Sequence, residues 1–229
     1  MDSAVLYALA LTLFAGLATG LGSLVAFFTS RTNTKFLSFA LGFSAGVMIY
    51  VSLVEIFVKA KDSLTAALGE TQGYLYTVLG FFGGMLLIAL IDRLIPNAEN
   101  PHEVKKVEAL QHEPTAAEFT KLKKMGVFTA LAIAIHNFPE GIATFMSALE
   151  DPQLGFAIAI AVAIHNIPEG IAVAVPLYYA TGDRKRAFNL SFLSGLSEPL
   201  GAIVAYLILM SFLIITGSSP FIGFIYTLF

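Results

Sequence analysis

The sequence predicts an all-α fold, a multi-pass membrane helical bundle. Three observations predict it. Of 229 residues, 57% are hydrophobic and only 13% are charged, where a soluble domain carries about 25% charged residues. The mean hydropathy is +0.79. Four stretches, 3–30, 36–54, 71–91 and 199–229, contain no Asp, Glu, Lys or Arg, and about 20 apolar residues cross a hydrocarbon core as a helix. Open strands cannot cross lipid, and nothing alternates as a barrel strand does. The net charge of −3 gives no basic excess, so nucleic acid is excluded as a partner. The chain has no cysteine, which excludes disulfides, thiolate metal sites and cysteine nucleophiles.

The whole chain, 1–229, reads as one transmembrane domain. Spans are expected near 5–28, 36–58, 74–95, 127–149, 154–179 and 188–213, with a partial seventh at 220–229. The first span has no basic flank and is too long for a signal peptide. Gly16, Gly20, Gly22, Gly42, Gly46, Gly80, Gly83 and Gly84 fall in the first three spans, where small residues let helices approach. The stretch 96–126 is the one extended polar connection, read as a cytoplasmic loop with a short helix near 113–124. Its His102 and His112 read as solvated, with an exit-side or regulatory metal role as the alternative.

Basic residues set the direction. Arg31, Lys35, Arg93, Lys105, Lys106, Lys121, Lys123, Lys124, Arg184, Lys185 and Arg186 fall in odd-numbered connections, against Lys59 and Lys61 in the others. The N-terminus is therefore expected outside a cell (cytoplasmic) membrane, with the lipid bilayer as the surrounding partner.

The chain carries two repeats. AIHNFPEGIA at 134–143 and AIHNIPEGIA at 163–172 differ at one position. LGSLVAF at 21–27 resembles LGAIVAY at 200–206, and FLSF at 36–39 loosely matches FIGF at 221–224. Span 1 thus pairs with span 6, span 2 with the start of span 7, and span 4 with span 5. Eight spans with an inverted repeat would give this pattern, the chain stopping within the seventh.

The polar groups inside these spans carry the chemistry. Charge within a membrane is costly, about 2.5–3.5 kcal/mol for a central Asp on insertion scales. Glu140, Glu169 and Glu198 nevertheless lie in apolar spans, with His136, His165, Asn137 and Asn166. At a rise of about 1.5 Å per residue, His136, His165 and Glu198 each sit roughly 15 Å deep, near the midplane. His136 and Glu140 are i and i+4 on one helix face, and His165 and Glu169 repeat that spacing. Pro139 and Pro168 are expected to bend their helices and to free the Ile135 and Ile164 carbonyls. Three facing carboxylates repel or take up protons, and a divalent cation removes both problems. Imidazole nitrogen and carboxylate oxygen suit zinc, iron, manganese or cobalt. Two adjacent ions can bind with Glu140 and Glu169 bridging them. Protonating a ligand would loosen the cage and help release.

At these residues the chain resembles the ZIP (Zrt/Irt-like) family of divalent-metal transporters, in its bacterial zinc uptake permease branch. The resemblance rests on HNFPEG at 136–141, HNIPEG at 165–170, SGLSEPLG at 194–201 and GFSAGVM at 42–48, and it covers nearly the whole chain. It implies an eight-span fold, both termini outside, a two-metal site and, as is common in the family, a homodimer. One metal would take Met48, His136, Glu140, His165 and Glu169; the other would take Asn137, Glu140, Asn166, Glu169 and Glu198. The substrate implied is zinc, with iron, manganese, cobalt and cadmium left open, moved into the cytoplasm by spans 1, 4, 5 and 6 shifting against the rest. Two alternatives are a metal-binding membrane sensor or scaffold and an intramembrane metalloenzyme; H-E-x-x-H is absent, which disfavours the second. Met48, Ser52 and Glu55 are spaced i, i+4, i+7 on one expected face of span 2. Ser52 and Glu55 therefore read as a path from the extracellular mouth, against a solvated Glu55 paired with Lys59.

Overall fold

The computed structural model describes residues 3–28, 34–94 and 116–216. Helices dominate them and no strand occurs among them, since lipid leaves a backbone no partner but its own helix. Helix α1 spans Ser3–Phe28. Helix α2 (Thr34–Tyr50) passes through a π-helical segment, Val51–Ile56, into α3 (Phe57–Leu68). Gly69 then breaks the helix at φ 82°, a conformation that costs glycine little, and α4 runs over Glu70–Leu94. Helices α5 (Ala116–Glu150) and α6 (Pro152–Thr181) are separated by Asp151 alone. Helices α7 (Arg184–Gly195) and α8 (Ser197–Thr216) meet at Leu196.

The single-residue turn at Asp151 follows from its chemistry. Its side chain accepts from the amides of Gln153 at 3.0 Å and Leu154 at 3.2 Å. Pro152 takes the first helical position, where its missing N–H costs nothing. The Leu154 and Gln153 amides, with Lys59 beside them, keep the Asp151 carboxyl below the usual carboxylate range. Lys59 reaches Asp151 at 3.4 Å, and the Ser63 hydroxyl donates to Glu150 at 2.9 Å. These two contacts tie α3 to the α5–α6 turn, so Lys59 serves Asp151 and not Glu55.

The expected sixth span, 188–213, begins at Arg184 and is divided between α7 and α8 at Leu196, and two further helix boundaries depart from the expected spans. Helix α5 starts at Ala116, about three turns before 127, because the run AAEFTKLKKM is rich in helix formers and free of proline. The second span continues to Leu68, with neither glycine nor proline to stop it before Gly69. Both prolines of the repeated motif lie inside continuous helices. Among the described residues, Ser3–Leu24, Gly42–Leu68, Glu70–Leu90, Pro152–Val175 and Arg184–Leu213 are long and apolar enough to cross a membrane. Helix α5 is long enough at 35 residues, and its His136, Asn137 and Glu140 make it less apolar. The expected seventh span, His102 and His112 lie outside the described residues.

Helices α1, α5, α6, α7 and α8 pack together, α6 against both α1 and α5, and α8 against α5. Helices α3 and α4 pair with each other, and α2 leans on α6. Three apolar clusters result, and two of them flank the repeated motif. One holds Ala8, Leu11, Phe145, Ala148, Ala159 and Ala202. The other holds Ala130, Ile133, Val173, Leu177 and Ala187. Leu6, Phe14, Leu75, Phe82, Leu86 and Ile208 face outward, as helices in lipid require. Of the glycines expected to pack helices, Gly16, Gly20 and Gly22 do so, against α7 and α6. Gly42, Gly46, Gly80, Gly83 and Gly84 meet no neighbour among the described residues.

Candidate metal centre

The repeated motif falls between the two flanking apolar clusters. In α5, His136–Glu140 follows Ile133 and precedes Phe145; in α6, His165–Glu169 follows Ala159 and precedes Val173. The terminal glycine of each copy sets the distance to the next helix. A side-chain carbon at Gly141 would overlap the backbone of Glu198, and one at Gly170 would overlap the carbonyl of Thr19. Helix α8 therefore lies directly on α5 at the motif, which brings the third carboxylate to it. Helix α1 lies directly on α6 in the same way, and Gly22 repeats the contact against the Ile167 carbonyl.

The donors converge. His136 Nε2 lies 3.5 Å from Glu140 Oε1, and His165 Nε2 lies 3.2 Å from Glu169 Oε1 and 4.0 Å from Glu140 Oε1. One ligand atom from each of His136, His165 and Glu169 lies within 4.8 Å of the other two. Ligands about 2.0–2.2 Å from a tetrahedral zinc are themselves roughly 3.3–3.5 Å apart. The two i, i+4 imidazole–carboxylate spacings are close to that size, and the His165–Glu140 spacing of 4.0 Å is wider.

The asparagines act on the carboxylates. The Asn137 amide, oriented by its hydrogen-bonding surroundings, donates to the Ile133 carbonyl at 3.1 Å and to Glu169 Oε2 at 3.1 Å. The Asn166 amide donates to the Ala15 carbonyl at 2.9 Å and to Glu198 Oε1. Asn137, Asn166 and Glu198 are fully buried. Among the described residues, Glu140 Oε2, Asn166 Oδ1 and Glu198 Oε2 are buried with no hydrogen-bond partner, and His165 Nε2 and Glu169 Oε1, 3.2 Å apart, have only each other. Unpaired buried polar atoms are rare, and each costs about 1–3 kcal/mol. Four of these five are oxygens, and an oxygen acceptor is satisfied by a cation as well as by a proton.

Sequence reasoning missed Ser44. Its hydroxyl, 2% exposed, meets His165 Nδ1 at 2.8 Å. In the tautomer that ligation needs, Nδ1–H donates to Ser44 Oγ and the Nε2 lone pair faces the carboxylates. A lone hydroxyl one helical turn before Met48 was the available signal. The Ala15 carbonyl left none, because a backbone acceptor has no residue type.

Met48 and the two expected entry residues, Ser52 and Glu55, make no hydrogen bond or ion pair with these groups among the described residues. Met48 packs against the apolar group of Ala15, Val51, Ile158, Ala161 and Val162. Ser52 and Glu55 fall within the π-helical segment. A π turn takes in about one extra residue, which rotates the helix beyond it by roughly 100°. The straight face expected from i, i+4, i+7 is therefore not kept. Glu55 Oε1 accepts from the Tyr50 hydroxyl at 3.3 Å.

A profile described as "ZIP Zinc transporter" matches residues 95–227. The chain is 73% identical over 213 residues to the "Zinc transporter ZupT" of Lysinibacillus sphaericus (strain C3-41), covering 93% of this chain and 79% of that protein. It is 72% identical over 213 residues to the protein of the same name from Oceanobacillus iheyensis, with the same coverage. The Chlorobaculum parvum protein of that name is 59% identical over 209 residues, 91% of this chain and 78% of its own length.

Proposed function

The chain belongs to the ZIP zinc transporter family, and on that premise we propose that it carries divalent metal, zinc first, across the cell membrane into the cytoplasm. The path runs through the layer of His136, Asn137, Glu140, His165, Asn166, Glu169 and Glu198. One ion takes His136, Glu140, His165 and Glu169, with Met48 as a further donor. A second takes Asn137, Glu140, Asn166, Glu169 and Glu198, so that Glu140 and Glu169 bridge the two. Ser52 and Glu55 lie toward the extracellular mouth. The spans follow the eight-helix inverted-repeat plan with the N-terminus outside, and two copies associate as a dimer.

One observation carries the reading: a set of orphaned buried acceptors shares one polar layer with two histidines at ligand spacing. Without a cation these groups oppose one another in a largely buried layer. With one, the oxygens gain a partner and the carboxylate repulsion is offset. Both carboxylates beside the histidines serve as ligands, which leaves no free base there for hydrolysis and makes the protein a carrier rather than an enzyme. Zinc flux into sealed vesicles containing the protein with all eight spans tests this. Flux well above that of protein-free vesicles is expected. A folded, zinc-binding protein with no flux above them would make it a sensor or scaffold.

A further inference from the structure

Away from the metal layer, the basic ends of α5 and α7 lie side by side. Two open-sided cavities lie there, and Val127 lines both. One, of about 500 Å³, is lined by Lys185, Arg186 and Asn189 of α7 and by Val127 of α5. The other, of about 320 Å³, is lined by Lys123 and Lys124, and Val127 borders it too. The shared Val127 wall sets Lys123 and Lys124 of one cavity beside Lys185 and Arg186 of the other, and the two are taken together as one basic recess. Asp183 also lines the larger cavity, and its carboxylate accepts from the Arg186 backbone amide at 3.1 Å. No ion pair to Lys123, Lys124, Lys185 or Arg186 occurs among the described residues. Nearby Arg184 is engaged elsewhere, lying over the Tyr178 ring.

The recess continues into apolar surface. Leu190 and Leu193 extend the α7 wall, and Phe128 extends the α5 wall. Val127, Phe128 and Leu193 are 41%, 40% and 58% exposed, open to whatever fills the bilayer beside them. The charged part lies at the helix ends and the apolar part runs inward. From Val127 to His136, and from Asn189 to Glu198, is about 14 Å at the helical rise. The recess thus lies a half-membrane away from the metal layer, at the depth of lipid headgroups.

We propose that this recess binds an anionic phospholipid. Its phosphate lies among Lys123, Lys124, Lys185, Arg186 and the Asn189 amide, and an acyl chain lies along Val127, Phe128 and Leu193. Charge complementarity sets the headgroup, and the adjoining apolar wall selects a lipid over a free anion. Basic recesses between transmembrane helices at the cytoplasmic face bind anionic headgroups by the same physics.

The test reconstitutes the full chain with phosphatidylglycerol and phosphatidylcholine, washes it in detergent, and counts retained lipid by mass spectrometry. Phosphatidylglycerol should be retained in preference to phosphatidylcholine. Lys185→Gln with Arg186→Gln should reduce its affinity about fivefold per charge removed. The charge-keeping pair Lys185→Arg with Arg186→Lys should retain it. Lys61→Gln, at a half-buried cation beside Asp62 on α3, outside the recess, should change nothing. Equal retention of the two lipids, or wild-type retention after both glutamine substitutions, would overturn the proposal. Full displacement by millimolar inorganic phosphate would overturn it as well, in favour of a free-anion site.

Discussion

Replacing Ser44 by alanine should loosen metal binding without disturbing the fold. The Ser44 hydroxyl is buried and makes one cross-helix contact, to His165 Nδ1 at 2.8 Å. Removing it deletes about 1 kcal/mol of hydrogen bonding. It also frees the imidazole to turn and to change tautomer. Partners behind a ligating histidine are worth 10–100-fold in metal affinity. Since this pair is neutral and single, the lower end applies, about tenfold or 1.4 kcal/mol. Zinc titration of purified protein against a competing chelator reads the affinity, and vesicle uptake reads the apparent Km. Ser44→Thr keeps the hydroxyl and should stay near wild type. Ser63→Ala removes a hydroxyl bonded to Glu150 on a different surface and should leave zinc affinity unchanged. If Ser44→Ala binds zinc as tightly as wild type at equal folded yield, His165 is oriented without α2 and the reasoning fails.

Four further outcomes rest on the same geometry. Glu140→Ala or Glu169→Ala should abolish vesicle uptake at matched protein levels, since each is proposed to bridge two ions; uptake near the wild-type rate would remove the shared-carboxylate site. His136→Ala should damage transport far more than His102→Ala, and equal losses would place the loop histidine on the obligatory path. Gly170→Ala should destabilise the protein by about 1–3 kcal/mol, because its methyl meets the Thr19 backbone and not a movable side chain; an unchanged thermal midpoint would mean that α1 and α6 can part at no cost. Glu55→Gln should raise the apparent Km at low ionic strength with little change in maximal rate, and salt should close the gap; an unchanged Km would leave Glu55 with its Tyr50 contact alone.

Much of the site is readable from residue types. The two H-N-x-P-E-G copies are helical, and their i, i+4 histidine–glutamate pairs approach within 3.5 Å and 3.2 Å. Such contacts are local, so sequence spacing determines them. The relation of Glu198 to Asn166 is not local, and depth counting alone brings it into view. The π-helical segment is not legible, because VSLVEI carries no proline or glycine to mark a change of helix type. Spacing pairs Lys59 with Glu55, whereas the structure gives it Asp151 across 92 positions of chain. An α-helical rule cannot hold across a π turn, and it cannot weigh a tertiary partner against a local one.

The packing divides the donors in a way that bears on release. His136, Asn137, Glu140, His165, Asn166, Glu169 and Glu198 all belong to α5, α6 and α8, within the block that α1 and α7 complete. Glycine contacts bring these backbones together where the donors lie, so moving one helix alone would break several close contacts. Ser44 and Met48 belong to α2, which leans on α6 from outside that block. The bond from Ser44 to His165 therefore crosses the boundary between them. Any motion that parts α2 from α6 at this level breaks it and leaves His165 without its outer partner. On the proposed ligand set, metal affinity falls at that step, by about the factor that removing the hydroxyl costs. Separation of the two blocks and weakening of the site are then one event, and Ser44→Ala tests whether they are coupled at this residue.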